Sequence, residues 1–592
     1  TFNGGTATSL VGGTTSGASG SAQGNTVTVS SGNLRYAWGG LATAGSGSAT
    51  GNIVNINGGT FSSGGVIIGG GGMNGVTGNM SGNTVTITGG ALNNNNKIYA
   101  GDSRSLSSTS NGNIVNLGDE NGNFSANLNR AEIWGTSYNE QVQDNDSDKI
   151  KGNTLNVNAS GIRLDKVRNF EKINFNLTKS VTAGSTMLTM DTGNFGLGYG
   201  KAFDWKNFSL TGKENDTDKT KYGRIGNINL LFSYSGSDMK IGNYTTGGKK
   251  GTTGDYEYHM ESNGHTFFGE HIASLIKASV DRFQNADATY NGTAFTGNEL
   301  YGGYSSLGNT TNNNKLTIKA LPSGGLGAAY GAETAGTAGN STNNTLTVES
   351  TGTTGIGLAY GGAITNDQNA GEVSDNKVIV ENGGMQKVYA GYTLGGGAVK
   401  KNITTIRGGE FEAVEGGYVD YNANNADVTE NEVHFHGGKA DVVRAGFTNG
   451  TGAARKNKTF FHGGEAKVVE GALASGESSE NEVTITGGKI TQAVYGSLTN
   501  AGGNQNNNIV NFGDDTHHDL SAADLTNANI YGGDATSGPV SGNTLNVQAK
   551  NVAVKSVNNF DKYNFKLNNS LASGDTMLTL RNGGFGREID WN

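Results

Sequence analysis

The chain contains no cysteine and only 2 prolines in 592 residues. The first absence removes disulfides and thiolate metal sites as ways of holding it together, and it suits a chain that crosses an oxidising compartment unfolded. The second leaves nearly every residue with a backbone N–H for a sheet ladder. No apolar run approaches the roughly 20 residues needed to span a bilayer, so any membrane anchor is expected outside this sequence. Lys and Arg total 42 against 51 Asp and Glu, for a formal charge of -9. No basic block stands out, so a nucleic-acid footprint is missing. The sequence opens on Thr1 with neither Met nor a signal peptide and reads as a fragment of a longer secreted precursor.

What the chain has in excess is glycine, 99 residues without a Gly-X-Y period, which excludes collagen and assigns the glycines to turns. A phrase recurs: an Asn, alternating apolar residues, then paired glycines. It stands as Asn52-Ile-Val-Asn-Ile-Asn-Gly-Gly59, Asn83-Thr-Val-Thr-Ile-Thr-Gly-Gly90, Asn431-Glu-Val-His-Phe-His-Gly-Gly438, Asn457-Lys-Thr-Phe-Phe-His-Gly-Gly464 and Asn481-Glu-Val-Thr-Ile-Thr-Gly-Gly488. Weaker copies begin at Asn25, Asn113, Asn153, Asn314, Asn344, Asn376, Asn402, Asn508 and Asn543. Neighbouring copies lie mostly 24 to 32 residues apart, roughly the spacing of a solenoid repeat. A second apolar segment follows the glycines and ends in an aromatic and more glycine, as in Glu299-Leu-Tyr-Gly-Gly303, Lys387-Val-Tyr-Ala-Gly391 and Asn529-Ile-Tyr-Gly-Gly533. Two strands with Gly-rich corners supply one coil of a parallel β-helix, with coils stacked about 4.8 Å apart.

Period-2 alternation then decides what faces inward. Val433, Phe435 and Phe461 are expected in the core, with Glu432, His434, His436, Lys458 and His462 outside. Stacking aligns Glu432, Lys458 and Glu482 in one outward row of alternating charge, and Glu415, Arg444 and Glu470 in another.

A longer duplication overlies the short one. Residues 113–205 match 508–591: Gly152-Asn-Thr-Leu-Asn-Val157 answers Gly542-Asn-Thr-Leu-Asn-Val547, and Asn169-Phe-Glu-Lys-Ile-Asn-Phe-Asn176 answers Asn559-Phe-Asp-Lys-Tyr-Asn-Phe-Lys566. The expected organisation is therefore a β-helix over 1–206 that ends one long unit, divergent coils or a protruding insertion over 207–290, and a β-helix over 291–592 that ends in the second copy. Within the divergent part, residues 264–277 read as a short helix.

Chemical motifs are few. His259, His265, Glu270 and His271 lack the His-Glu-x-x-His spacing that sets two ligands on one helical face. His436 and His462 fall at equivalent places on adjacent coils, where surface stacking is the favoured reading. Asp144, Asp146 and Asp148 alternate as in a calcium loop, but Lys149 and Leu155 stand where an EF-hand needs Gly and Glu, so a solvated turn is expected. No Gly-x-Ser-x-Gly elbow or phosphate-binding loop is present, and outward carboxylates alternate with Lys and Arg instead of gathering in a groove as polysaccharide cleavage requires. The sequence thus calls for no cofactor, no metal and no catalytic residue.

The aromatic row is the best candidate site. Tyr99, Trp134, Tyr301, Tyr330, Tyr360, Tyr389, Tyr495 and Tyr531 occupy equivalent places in the second strand, one position past an inward residue. Such a ladder steadies adjacent coils, and its amphipathic faces also suit sugars or proteins. Tyr301, Tyr330, Tyr360 and Tyr389 are the candidate ligand-binding face, with Glu415, Arg444 and Glu470 interrupting the row beyond them.

The Asn-x-Val-x-Ile-x-Gly-Gly phrases, the Val-Tyr-Gly-Gly segments and the Phe-Asp-Lys-Tyr-Asn-Phe module together resemble the passenger regions of very large Gram-negative autotransporter adhesins. The resemblance covers most of the chain, least well 206–291. It implies an elongated, right-handed, all-β parallel β-helix displayed outside the outer membrane, exported through a C-terminal barrel missing here. It also implies attachment to glycans or proteins of host or bacterial cells, or self-association, and carries no catalytic residue.

Overall fold

The computed structural model describes residues 1–592 except 93–94, 106, 138–150, 179, 192–194, 197–202, 213–223, 234–238, 243–247, 268–269, 293–296, 351–354, 421–424, 583–584 and 586–592. The chain divides into two units, one of Thr1–Asp216 with Ile225–Val280 and one of Thr217–Arg224 with Asp281–Asn592. Each is a parallel β-solenoid.

The second unit is the more regular. Its coils contribute one strand each to an 11-stranded and a 12-stranded parallel sheet. The first sheet holds the Asn phrases, such as Glu432–Phe435, Lys458–Phe461 and Glu482–Ile485. The second holds the aromatic segments, such as Gly355–Ile364, Gly384–Thr393 and Glu410–Val419. A third, 7-stranded sheet of two-residue strands, including Ser341–Thr342 and Ala454–Arg455, completes the coil. Two residues are too few to show period-2 alternation, and the sequence carries no signal for this sheet.

Alternation is realised as the sequence requires. Val433, Phe435 and Phe461 are fully buried, with Phe435 stacked on Phe461 at 5.4 Å and 4°, while Glu432, His434, His436, Lys458 and His462 point away from this core. The predicted registers also hold: Glu432 pairs with Lys458 and Lys458 with Glu482, and Glu415 pairs with Arg444 and Arg444 with Glu470.

Past the partly buried Asn25, the Asn that opens each phrase is buried, and its side chain builds a ladder. From Asn25 to Asn153, and again from Asn314 to Asn543, each backbone N–H donates to the Oδ1 of the next coil's Asn at 2.7–3.1 Å. In most coils its Nδ2 donates to the same oxygen. A buried amide with every bond made locks register, because a slip by one residue would strand several donors at once.

This ladder corrects the assignment of the glycines. Gly438, Gly464 and Gly488, with φ of 93°, 79° and 78°, do occupy turns that only glycine enters freely. The pair after the aromatic does not. At Gly303 and Gly362, each second after a Tyr, a Cβ would lie 2.3 and 2.7 Å from the Nδ2 of Asn314 and Asn376. The Tyr-Gly-Gly strand therefore runs on through its glycines, which are small because the asparagine ladder lies against them.

In the first unit, Phe2–Thr15, Thr26–Ala42 and Ile53–Gly72 each run without a break, joining what are two strands per coil in the second unit. The divergent segment continues this stack: Phe208–Gly212 pairs in parallel with Lys172–Leu177, and Arg224–Ser233 with Thr186–Met190. Antiparallel pairs follow, Lys249–Thr253 with Tyr256–Ser262 and His265–Phe267 with Glu270–Ala273. The short helix expected over 264–277 is thus replaced by strands. Leu275–Arg282 alternates buried and partly exposed residues with a strand's period, and pairing with neighbours outweighs the weak helical preference of so short a segment.

The duplicated modules fold alike but are covered differently. Phe175 and Leu177 are buried at 0% and 7% exposure beneath Phe208–Gly212. Their counterparts Phe565, which ends the last strand of the 11-stranded sheet in this sequence, and Leu567 just past it are 47% and 83% exposed.

Candidate functional site

The tyrosine row is assembled by the register of the second sheet. Tyr301 pairs with Tyr330, Tyr330 with Tyr360 and Tyr360 with Tyr389. Successive ring centroids are 4.9, 4.6 and 5.4 Å apart at interplanar angles of 9°, 9° and 21°. Each ring follows a core residue, Leu300, Ala329, Ala359 or Val388, so the rings leave the core and build a separate apolar cluster on the other side of the strand.

The sequence places these rings on an open outward face, and here the structure differs. Tyr301, Tyr330, Tyr360 and Tyr389 are only 7%, 7%, 5% and 4% exposed. A second column covers them, three residues further along the same strands, Tyr304, Glu333, Ala363 and Tyr392, joined by Tyr418 of the next coil. Tyr304 meets Tyr301 edge-on at 5.0 Å, Tyr392 meets Tyr360 at 5.1 Å, and Tyr418 meets Tyr389 at 4.8 Å. The signal for this column was present as the Tyr-x-x-Tyr spacing in Tyr301 to Tyr304 and Tyr389 to Tyr392. Alternation assigns residues three apart to opposite faces, yet across Gly302-Gly303 and Ala390-Gly391 the strand brings both tyrosines into one cluster.

Burial drives the phenols of this slab well above their usual pKa, helped by the carboxylates of Glu333 and Glu415. The Tyr301 hydroxyl donates to Glu299, and Tyr392 donates to Asp420 Oδ2 at 2.8 Å. The phenols are held neutral, the stacking is apolar between coils, and the margin is hydrogen-bonded. Stacked and edge-on aromatic pairs contribute about 0.5–1.5 kcal/mol each beyond their buried area.

Past Tyr389 the row continues as Glu415, Arg444 and Glu470, then Tyr495 and Tyr531. Expected as an outward row of charge, the triad is in fact enclosed. Its side chains are 3%, 11% and 8% exposed, with Arg444 3.2 Å from Glu415 and 3.3 Å from Glu470. Oε2 of Glu415 and Nε of Arg444 are buried without hydrogen-bond partners. Loss of water pushes the Glu415 carboxyl up to about 7 against the pull of Arg444, and raises Glu470 as well. Arg444 also lies 4.5 Å over the ring of Phe447, so the aromatic slab runs directly into the charged one.

The solvated charge rows behave as the sequence requires. Glu410, Lys439, Glu465 and Lys489 alternate in register, and Lys467 reaches Asp441 at 2.7 Å. Exposed pairs of this kind contribute about 0–1 kcal/mol, so they specify register more than stability. An open groove of about 600 Å³ accompanies them, with Leu326, Met385 and Phe411 on its floor and Glu410, Glu412 and Asp441 at its rim. Unit one has a groove of its own, of about 450 Å³, lined by Asn116, Asn156, Asn158 and Thr178.

His436 stacks on His462 at 4.6 Å and 12°, as the coil spacing predicts, and His434 completes a triangle with them. Partial burial and the neighbouring imidazoles draw His462 down to about 4 and lower His436. The side chains of His265, Glu270 and His271, and residues Asp144, Asp146 and Asp148, lie outside the described residues. In unit one, Tyr99 and Trp134 pair in register with rings 6.0 Å apart and tilted by 45°. No family model, curated protein or solved structure matches this chain.

Proposed function

We propose that the chain is a non-catalytic β-helical stalk of a secreted bacterial cell-surface adhesin. Its parent would be held at the outer membrane by a C-terminal barrel beyond this sequence, and would attach to glycans or proteins of host or bacterial cells or to further copies of itself. The observation that carries this reading is the doubled reinforcement of successive coils. Buried asparagines and stacked tyrosines tie neighbouring coils along the same direction. That is the construction a load-bearing surface repeat needs, and repetition turns weak contacts on such a surface into useful avidity. The autotransporter resemblance of the repeat phrases points the same way.

A structural filament or surface-layer component without a foreign ligand is the second reading. It is favoured by the burial of Tyr301, Tyr330, Tyr360 and Tyr389: their faces are already occupied by one another, and a ligand would meet only ring edges. Binding of the labelled 592-residue chain to glycan arrays and to bacterial and host cells, with sedimentation alongside, separates the two. Saturable binding to a glycan or cell surface supports the adhesin. Concentration-dependent assembly with no such binding supports the filament and removes attachment to foreign cells or glycans from this chain.

A further inference from the structure

We propose that His434, His436 and His462 form a surface site for one divalent transition-metal ion of the zinc, cobalt or nickel class, strapping two successive coils together. His434 and His436 alternate on one strand and share its outer side, while His462 occupies the position of His436 on the next coil, because Phe435 pairs with Phe461. One ligating nitrogen from each of the three lies within 4.8 Å of the others. Nitrogen ligands on a tetrahedral ion, at about 2.0–2.1 Å from the metal, sit about 3.3 Å from one another. Side-chain torsion alone closes that gap, with no movement of the hydrogen-bonded strands.

The surroundings hold two of the imidazoles by one nitrogen and free the other. Nε2 of His434 donates to Glu432 Oε2 at 3.3 Å, and Nδ1 of His462 lies 2.8 Å from the Thr486 hydroxyl. A carboxylate or hydroxyl behind a ligating imidazole selects its tautomer. Phe460 stacks on His434 at 4.7 Å and 10°, giving that ring an apolar side. Arg407 is the nearest cation on the preceding coil, and it is paired with Glu381 at 2.5 Å. The rings now lie nearly parallel, at 10–12°, so each must turn about its side-chain bonds for three lone pairs to converge. Three neutral nitrogen donors select borderline transition ions over calcium or magnesium, which require oxygen.

The test is titration of the 592-residue chain, free of any histidine tag, with Zn²⁺ by calorimetry and with Co²⁺ by visible absorption. The expected result is one ion per chain, a cobalt spectrum of low-coordinate type, no competition from millimolar Ca²⁺ or Mg²⁺, and a rise in melting temperature on loading. His436→Ala and His462→Ala should each weaken binding at least tenfold, and His518→Ala, outside the triangle, should leave it unchanged. Circular dichroism of each variant confirms that the solenoid is intact. Absence of stoichiometric binding, or affinity retained in the folded His436→Ala, His462→Ala double variant, overturns the proposal.

Discussion

Asn457 receives two hydrogen bonds from Asn431 on a single oxygen: the backbone N–H and the side-chain Nδ2 of Asn431 approach its Oδ1 at 3.1 and 3.0 Å. Its own Nδ2 passes the pattern on to Asn481 Oδ1 and also donates to the carbonyl of Val428, both at 3.0 Å. One fully buried amide thus joins three coils.

Replacing that amide should be costly. Asn457→Ala leaves the backbone N–H of Asn431 and one of its two Nδ2 hydrogens without partners in a dry interior, at about 1–3 kcal/mol for each group left unsatisfied. The expected loss is about 3 kcal/mol, read as a lower urea midpoint for unit two. Asn457→Asp should be worse at neutral pH, since it loses the donors and adds a buried charge.

The glycines that touch the ladder make a separate prediction. A Cβ at position 417 would sit 2.6 Å from Asn431 Nδ2, so Gly417→Ala must push the amide off its partners. Overpacking of this kind costs about 1–3 kcal/mol. The chemical-denaturation midpoint of Gly417→Ala should fall, whereas Gly384→Ala, with open space around its Cβ, should change it little.

Tyr330→Ala and Tyr360→Ala test whether the slab is structural. Each removes a ring stacked on both sides and should cost about 3 kcal/mol. The two are neighbours, so the double variant should deviate from additivity. Equilibrium unfolding of the singles and the double measures both effects. Unfolding curves that coincide with the parent's would remove the slab from the account of stability.

The Glu415 carboxyl gives stability a pH dependence of defined sign. Its folded value of about 7 lies above the ordinary carboxyl value, so the folded chain holds that proton more tightly than the unfolded chain. The stability it contributes is fully present below the unfolded pKa of about 4.3 and is lost as pH rises through 7. Glu415→Gln cannot ionise and keeps Arg444 paired with Glu470. Its melting temperature should therefore gain on the parent's between pH 5 and pH 8. A gap that stays constant across that range would show that Glu415 ionises freely in the folded state.

Much of this was legible in the amino-acid order, for identifiable reasons. A sheet has a strict two-residue period, so Val433 and Phe435 could be assigned to the core from their positions alone. Parallel coils in register repeat equivalent residues, which is why the rows Glu432, Lys458, Glu482 and Glu415, Arg444, Glu470 emerged from spacing. Alternation fails across the two small residues that separate the tyrosine columns within one strand. Tyr304 and Tyr392 were missed as partners of Tyr301 and Tyr389 for that reason, and an aromatic row read as open proved to be covered.

The sequence by itself determined the coil, its two principal strands, its register and its inward residues, because these follow from periodicity and from pairing with a like neighbour. Tertiary structure alone decided what each outward row meets. It enclosed Glu415, Arg444 and Glu470 while leaving Glu432 and Lys458 in water. It turned the asparagines that merely marked each repeat into the ladder that holds the coils together. Burial depends on what lies beside a residue in space, and a repeat specifies that neighbour only as far as the next coil.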